Sequence, residues 1–258
     1  HHRSSAASDV YKRQGLPFIL TAHGSDVPGY NVDKFLILHR FTRPLLRKIC
    51  REAAIIVSPS NYLLNLIKKR IQHFPEDKLM KIPNGIFIDK FTPLPKKKTI
   101  LSTGRLLPRK GFHLLVKALE DEETDWEIHI CGSGWMMNEL EKLAKTSKTK
   151  VVLHGWMDNN SPEYKELLGS ASIYSLVSSK ENASISLLEA MSAGCATITS
   201  DVSGCPESVG DAGITIPAED VDALKKELLD LINNEERLQD LQVRAVSYTH
   251  LRAHETRF

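Results

Sequence analysis

Two cations and two carboxylates stand out first. Arg105 and Lys110 are five residues apart in STGRLLPRKG (102–111), across a turn that holds Pro108. At the carboxyl edge of a sheet such a pair suits a diphosphate, which a guanidinium grips bidentately and an ammonium as a point charge. A solvated basic turn has the same composition. Glu181 and Glu189 are eight residues apart in SSKENASISLLEAMSAGC (178–195). A helix starting near Ser184 would leave the amides of Ser184, Ile185, Ser186 and Leu187 free at its N-terminus, a seat for phosphate. A carboxylate on each side of that seat could grip hydroxyls, one set on a sugar and one on a ribose. The plainer alternative is that Glu181 favours the helix dipole and Glu189 is a surface residue.

Four further groups are less specific. CGSG (131–134) opens like a dinucleotide-binding glycine fingerprint, but its third position is Met137, so the nicotinamide fingerprint fails. What remains is a tight turn into a helix, in which Gly132 and Gly134 would allow close backbone approach to a ligand. HGWMD (154–158) puts Trp156 and Met157 just after a strand, where backbone groups could read a base edge; a tryptophan on the surface rim is the other reading. Glu207, after Pro206, opens a short turn near the same edge. His23, in TAHGSDV, ends a strand, where it is either a hydrogen-bonded structural residue or a functional one.

The elements that must position these residues follow from the apolar pattern. Strands read at 99–103, 126–131, 151–154, 173–177, 196–200 and 213–216, with helices at 111–121, 135–146, 162–169, 184–193 and 220–243. This alternation argues for a parallel sheet covered on both faces, a doubly wound α/β domain whose ligands sit at the carboxyl ends of the strands. Before it, PFILTA (17–22), AAIIVSPS (53–60) and KLMKIP (78–83) carry strands. A helix at 33–52, disturbed at Pro44, and one capped by Ser60 and running through Phe74 lie between them. Three strands and two helices make only part of a second domain. TPLPKKK (92–98) reads as a linker. The expected division is a partial N-terminal domain at 15–91, the linker, and a C-terminal domain at 99–245.

Composition bounds the classes. The 258 residues are 41% hydrophobic and 26% charged, which excludes collagen-like, disordered and disulfide-scaffold chains. Cys50, Cys131, Cys195 and Cys205 are scattered with no CxxC, so no structural zinc is expected and a reducing compartment is the default. The longest apolar runs, about eight residues, are too short to span a bilayer. Residues 1–14 and 246–258 show no helical or strand period and resemble translated sequencing-adapter read-through; they are expected to be non-native. They hold five Lys and Arg against two Asp and Glu, so the formal +2 of the whole chain becomes −1 without them. The balance is no argument for a nucleic-acid partner.

Taken together, GR-x3-RKG, GSG, HGW, E-x7-E and PE in this order resemble the family 4 retaining glycosyltransferases of the GT-B fold. The resemblance covers roughly residues 17–240, includes IPNG (82–85), and makes this chain truncated at both ends. It implies two facing Rossmann-like domains, acceptor on the N-terminal one, here incomplete, and nucleotide-diphosphate sugar on the C-terminal one. On the residues that match, Arg105 and Lys110 resemble the pair that neutralises the donor diphosphate. Glu181 resembles the residue on the donor-sugar hydroxyls and Glu189 the one on the ribose. Ser184 and Ile185 resemble positions whose amides meet the phosphate, and His23 the histidine that faces the donor sugar. Gly104, Gly132, Gly134, Trp156, Met157, Ser186 and Leu187 complete the expected donor site. Phe87 stands where the family often has Asp, and the family's early glycine-rich loop and closing C-terminal helix are missing.

The resemblance further implies a sugar, polysaccharide or lipid-linked acceptor and retention at the anomeric carbon. No cofactor or metal is required beyond the donor, because cations and helix amides can stabilise the leaving diphosphate at roughly 3 kcal/mol each. No carboxylate is placed as a nucleophile, so front-side attack by the acceptor is expected. The protein is expected in the cytoplasm, at the inner face of the membrane. There the helix at 33–52, with Arg40, Arg43, Arg47 and Arg51 on one face, could meet anionic lipid; a solvated basic face is the alternative. Rival readings are an oxidoreductase, which Met137 opposes, a GT-B epimerase or phosphorylase, and a nucleotide-binding module without an acceptor site.

Overall fold

The computed structural model describes residues 16–30, 32–71 and 75–255. The expected tail at 1–14, the end of the second helix at 72–74 and residues 256–258 lie outside them. Internal contacts divide the chain between Asn84 and Gly85.

The N-terminal unit runs β1 (Ile19–Thr21), α1 (Val32–Glu52), β2 (Ile55–Ser58), α2 (Asn61–Ile71) and β3 (Leu79–Lys81). Its three strands are parallel in the order β1-β2-β3. Leu63, Ile67 and Ile71 recur at four-residue steps and bury one face of α2 with Ile56 of β2, Cys50 and Ala53. Ser60 caps α2 as expected, its hydroxyl accepting the Leu63 N–H at 3.1 Å.

Helix α1 continues through Pro44, against the disturbance expected there. Arg43 donates twice to the Arg70 carbonyl, at 3.0 and 2.6 Å, and Arg47 donates to the Ile71 carbonyl at 2.7 Å. These bonds fasten α1 on both sides of the proline and satisfy carbonyls that the end of α2 leaves open. Two of the four arginines of the basic face are thereby committed within the unit.

The C-terminal unit runs β4 (Lys97–Thr103), α3 (Phe112–Leu119), β5 (Glu127–Cys131), α4 (Met137–Thr146), β6 (Lys150–Gly155), α5 (Pro162–Ser170), β7 (Ala171–Leu176), α6 (Ile185–Ser192), β8 (Ala196–Ser200), α7 (Cys205–Val209), β9 (Ile214–Ile216), α8 (Val221–Asn233) and α9 (Glu235–Glu255). All six strands are parallel, in the order β6-β5-β4-β7-β8-β9. Counted within the unit this is 3-2-1-4-5-6, the doubly wound order, and its direction reverses between β4 and β7. Every residue of β7 and β8 is buried, as both faces being covered requires. Ile100, Ile128, Ile173 and Ile198 point to the layer of α3, α4 and α8; Leu101, Tyr174 and Leu176 point to that of α5, α6 and α9.

Three expectations need correction. The helix expected at 220–243 is two helices, broken at Asn234, whose side chain accepts the Arg237 N–H at 3.0 Å and starts α9. Helix α9 then runs through 246–255, read above as lacking a helical period. Leu238, Leu241, Ala245 and Thr249 are buried at three- and four-residue steps, and only the small size of the last two hides the pattern. The segment at 92–98 is not a free linker but packs on the C-terminal unit. Leu94 N–H donates to Gly169 O at 3.0 Å, and β4 begins at Lys97.

Lys96 explains why that segment is fixed. Its ammonium donates to the carbonyls of Gly169, Ala171 and Ala193 at 2.9, 2.9 and 2.7 Å, at the C-terminal ends of α5 and α6. Lys96→Met strands these carbonyls and is expected to lower stability by about 2 kcal/mol or more, several degrees in Tm. Lys98→Met, which breaks only an exposed pair with Asp125, is expected to change it by under about 0.5 kcal/mol. Thermal unfolding of the two variants against the parent checks the contrast.

Candidate functional site

The loops that leave β4, β5, β6, β7 and β8 lie at the carboxyl ends of their strands and are tied to one another by backbone hydrogen bonds. Gly104 N–H donates to Cys131 O and Leu106 N–H to Ser133 O, both at 2.9 Å. Gly132 N–H donates to Gly155 O at 2.6 Å, Ser179 N–H to Arg109 O at 2.8 Å, and Gly204 N–H to Glu181 O at 3.0 Å. Two glycines make this proximity achievable. A Cβ on Gly132 would lie 1.8 Å from Gly104 O, and one on Gly111, at φ +76°, would lie 2.4 Å from Val177 O. The close approach expected of Gly132 and Gly134 is thus made first to the neighbouring loop, Gly134 lying against Leu106 in the same way.

Between these loops lies a cavity of about 310 Å³. Of the expected site residues, Gly104, Arg105, Gly132, Trp156, Met157, Ser186 and Glu189 line it. Sequence reasoning missed Thr103, Cys131, Ser133, Asn159 and Tyr164, which also line it. Thr103, Cys131 and Ser133 lie inside the motifs quoted above and Asn159 adjoins one, whereas Tyr164 reaches the wall from α5 and leaves no local signal.

The remaining expected residues divide. Lys110, at the end of a single 3-10 turn (Pro108–Lys110), forms an ion pair with Glu181, their side chains 15% and 20% exposed. Ser184 is the residue before α6, but its hydroxyl does not cap the helix; it lies 2.9 Å from the hydroxyl of Ser186, so the first-turn amides have no side-chain cap. Ile185 is half exposed, and the Leu187 side chain is fully buried in the core, which leaves only its backbone for a ligand. Glu207 sits on α7, whose first turn holds Pro206. His23 belongs to the N-terminal unit, in the loop after β1, with its N–H donating to the Asp26 carboxylate at 3.1 and 3.2 Å.

Burial sets the protonation states. It pushes the Glu189 carboxyl above its ordinary value, against the opposing charge of Lys90. It pushes the Tyr164 hydroxyl and the Cys131 thiol each up to about 12, so both stay neutral near pH 7. Among the described residues Arg105 has an exposed guanidinium with no protein partner. No three His, Cys, Asp or Glu side chains among them are grouped to hold a metal ion. The site therefore offers an uncommitted cation and an uncapped helix start beside a carboxylate and several hydroxyls. This set can clasp an anion next to a polyol.

Two family models match the chain, glycosyl transferases group 1 over residues 86–247 and glycosyltransferase family 4 over residues 1–90. An N-acetyl-alpha-D-glucosaminyl L-malate synthase of Bacillus anthracis is 24% identical, over 89% of this chain and 62% of that protein. A GDP-mannose-dependent alpha-(1-6)-phosphatidylinositol monomannoside mannosyltransferase of Mycolicibacterium smegmatis is 23% identical, over 76% of this chain and 57% of that protein. The chain spans about half the length of the curated relatives it matches. The crystal structure of Anabaena HepE in complex with UDP superposes with a TM-score of 0.81 at 16% identity, over 95% of this chain and 71% of that one. That likeness is one of fold, and the fold is the α/β GT-B type expected from the sequence.

The raised carboxyl of Glu189 gives a pH-dependent prediction. Because its native pKa lies above the ordinary 4.5, the fold disfavours the ionised form. The penalty is absent below the unfolded value, grows as pH rises through the native value, and is complete above it. Glu189→Gln is therefore expected to be more stable than the parent at pH 7, with the difference closing as pH falls towards 4.5. Denaturant midpoints across that range check it, and a constant difference would remove burial of the charge as its cause.

Proposed function

We propose that this chain, which belongs to the glycosyl transferases group 1 family, binds a nucleotide-diphosphate sugar on its C-terminal unit and serves transfer of that sugar to an acceptor hydroxyl with retention of configuration. One observation carries the reading. Arg105, the Lys110–Glu181 pair, the uncapped start of α6 and Glu189 all belong to the clipped loops and first helical turns beside the reversal of strand order. In this reading Arg105, Lys110 and the amides from Ser184 to Leu187 take the diphosphate. Glu181 takes the donor-sugar hydroxyls and Glu189 the ribose. Trp156 and Met157 adjoin the base, and His23 is assigned to the donor sugar. No metal is required, since charge growing on the leaving diphosphate meets fixed cations and amides. With no carboxylate assigned as nucleophile, the acceptor attacks from the side the diphosphate leaves.

Calorimetric titration with UDP-, GDP- and ADP-sugars tests donor binding and names the base. Arg105→Ala is expected to lower turnover about 100-fold while weakening nucleotide affinity only a few-fold. Equal losses in both would remove its role at the transition state. Binding without any turnover would favour the reading as a nucleotide-binding module, and product analysis with labelled donor separates transfer from epimerisation or phosphorolysis.

A sugar, polysaccharide or lipid-linked acceptor, and a place at the cytoplasmic face of a membrane, belong to the same proposal. The name of the Mycolicibacterium relative includes phosphatidylinositol monomannoside. No helix among the described residues is long and apolar enough to cross a membrane. With Arg43 and Arg47 bound to α2, the face of α1 left to lipid comprises Arg40, Lys48 and Arg51 around Phe41 and Leu45, which are 77% and 58% exposed. The Phe41→Asp, Leu45→Asp double variant is expected to lose flotation with anionic vesicles. Lys48→Ala is expected to reduce partition about fivefold. Flotation indifferent to anionic lipid would end this part of the proposal.

A further inference from the structure

Lys110 and Glu181 are already engaged with each other in the ligand-free chain. Lys110 closes the 3-10 turn after β4, and Glu181 lies in the loop between β7 and α6. Their side chains form an ion pair, 15% and 20% exposed, and among the described residues neither has another ion pair or hydrogen bond. The backbone on both sides is fixed. Ser179 N–H donates to Arg109 O at 2.8 Å, Gly204 N–H donates to Glu181 O at 3.0 Å, and a Cβ on Gly111 would meet Val177 O at 2.4 Å. The ammonium and the carboxylate therefore stay within reach of each other whatever their side chains bind. A ligand that takes one of them leaves the other charge unpaired at low exposure, which is costly.

We propose that the Lys110–Glu181 pair is a latch on the donor site, which opens for a diphosphate that carries a sugar and re-forms once the sugar has left. The inference rests on the donor-binding reading above and adds that Glu181 opposes the bare nucleotide diphosphate. An ionised carboxylate only accepts hydrogen bonds. A bare diphosphate draws Lys110 away, offers Glu181 no donor in return and sets a like charge beside it. A sugar on the same diphosphate brings hydroxyls, whose bonds to a carboxylate are charge-assisted and replace the lost ion pair. When the sugar passes to the acceptor those hydroxyls go with it. Glu181 then competes with the phosphate for Lys110, and the hold on the diphosphate product weakens.

Opposite effects on product and donor supply the test. Isothermal titration compares UDP, GDP and ADP with UDP-glucose, UDP-N-acetylglucosamine, GDP-mannose and ADP-glucose, on the parent, Glu181→Gln, Lys110→Met and the double variant. Glu181→Gln is expected to tighten the bare diphosphate that the parent binds by about tenfold, because Lys110 is released at no cost. It is expected to bind the sugar nucleotide no tighter than the parent does, since weaker bonds to the sugar hydroxyls offset that gain. Lys110→Met is expected to weaken both ligands. In that background Glu181→Gln is expected to tighten the bare diphosphate by less than about threefold, with no cation left to release. Glu181→Ser and Lys110→Gln repeat the comparison should the first variants not fold. A Glu181→Gln variant that binds the bare diphosphate as the parent or more weakly would overturn the latch while leaving the donor site standing. So would equal tightening in both lysine backgrounds, equal tightening of the sugar nucleotide, or a parent that binds the diphosphate but none of its sugars. A parent that binds no diphosphate and no sugar nucleotide overturns the donor reading and the latch together.

Discussion

The site depends on backbone bonds between loops that leave neighbouring strands. A parallel sheet delivers its strand ends side by side, about 4.8 Å apart, but does nothing to fix the loops beyond them. Here neighbouring loops are joined by backbone bonds, from Gly155 through Gly132 and Gly104, and from Arg109 through Ser179. This has two consequences. The amides and carbonyls paired in this way are satisfied without water. The loop bearing Arg105 and Lys110 is held on one side by the turn after β5 and on the other by the loop bearing Glu181. Glycine is needed at the crossing points for steric reasons, since the carbonyl facing Gly132 occupies the place of a Cβ.

Charges on this frame are unequally committed, and the inequality is informative. Lys110 and Glu181 neutralise each other, at low exposure, where an unpaired partner would be expensive. Arg105 is exposed and uncommitted. Glu189 is partly buried, with Lys90 offsetting only part of the burial. In the ligand-free chain the attraction for an anion therefore comes from Arg105 and the start of α6. In the proposed complex, a diphosphate drawing on Lys110 would release Glu181 to accept from hydroxyls, so the two residues would change roles together. Glu189 needs no such exchange, because a ribose brings donors to a carboxylate that has lost its water.

What could be read in the sequence follows from the range of the forces involved. The alternation of apolar runs and the glycine and proline signals are local, and they located the nine strands found among the described residues and the loops that matter. The cap at Ser60 was legible for the same reason. Non-local effects were not legible. TPLPKKK has a linker's composition, but Lys96 is fixed by carbonyls more than seventy residues away. Pro44 has a helix-breaker's chemistry, yet arginines on both sides of it bind another helix. The arginine stripe has the period of a free basic face, and half of it serves as a cap. Buried positions filled by Ala245 and Thr249 escape a pattern that looks for large apolar residues. Within the site, the paired cations and the glutamate spacing were visible, whereas Tyr164 reaches it through the fold alone.

Backbone strain marks the same edge of the sheet. Ser203 is one of only two described non-glycine residues with positive φ, at 55°. A side chain in that region costs of order 1 kcal/mol and persists only where its surroundings enforce it. The next residue, Gly204, donates its N–H to the Glu181 carbonyl, and its own carbonyl accepts from Ser208 of α7. The turn after β8 thus reaches the loop after β7, and the two hydrogen bonds of Gly204 adjoin the strained residue. Ser203 therefore stands next to the bond that holds the Glu181 carbonyl, which links the irregular end of β8 to the chemistry proposed beside α6.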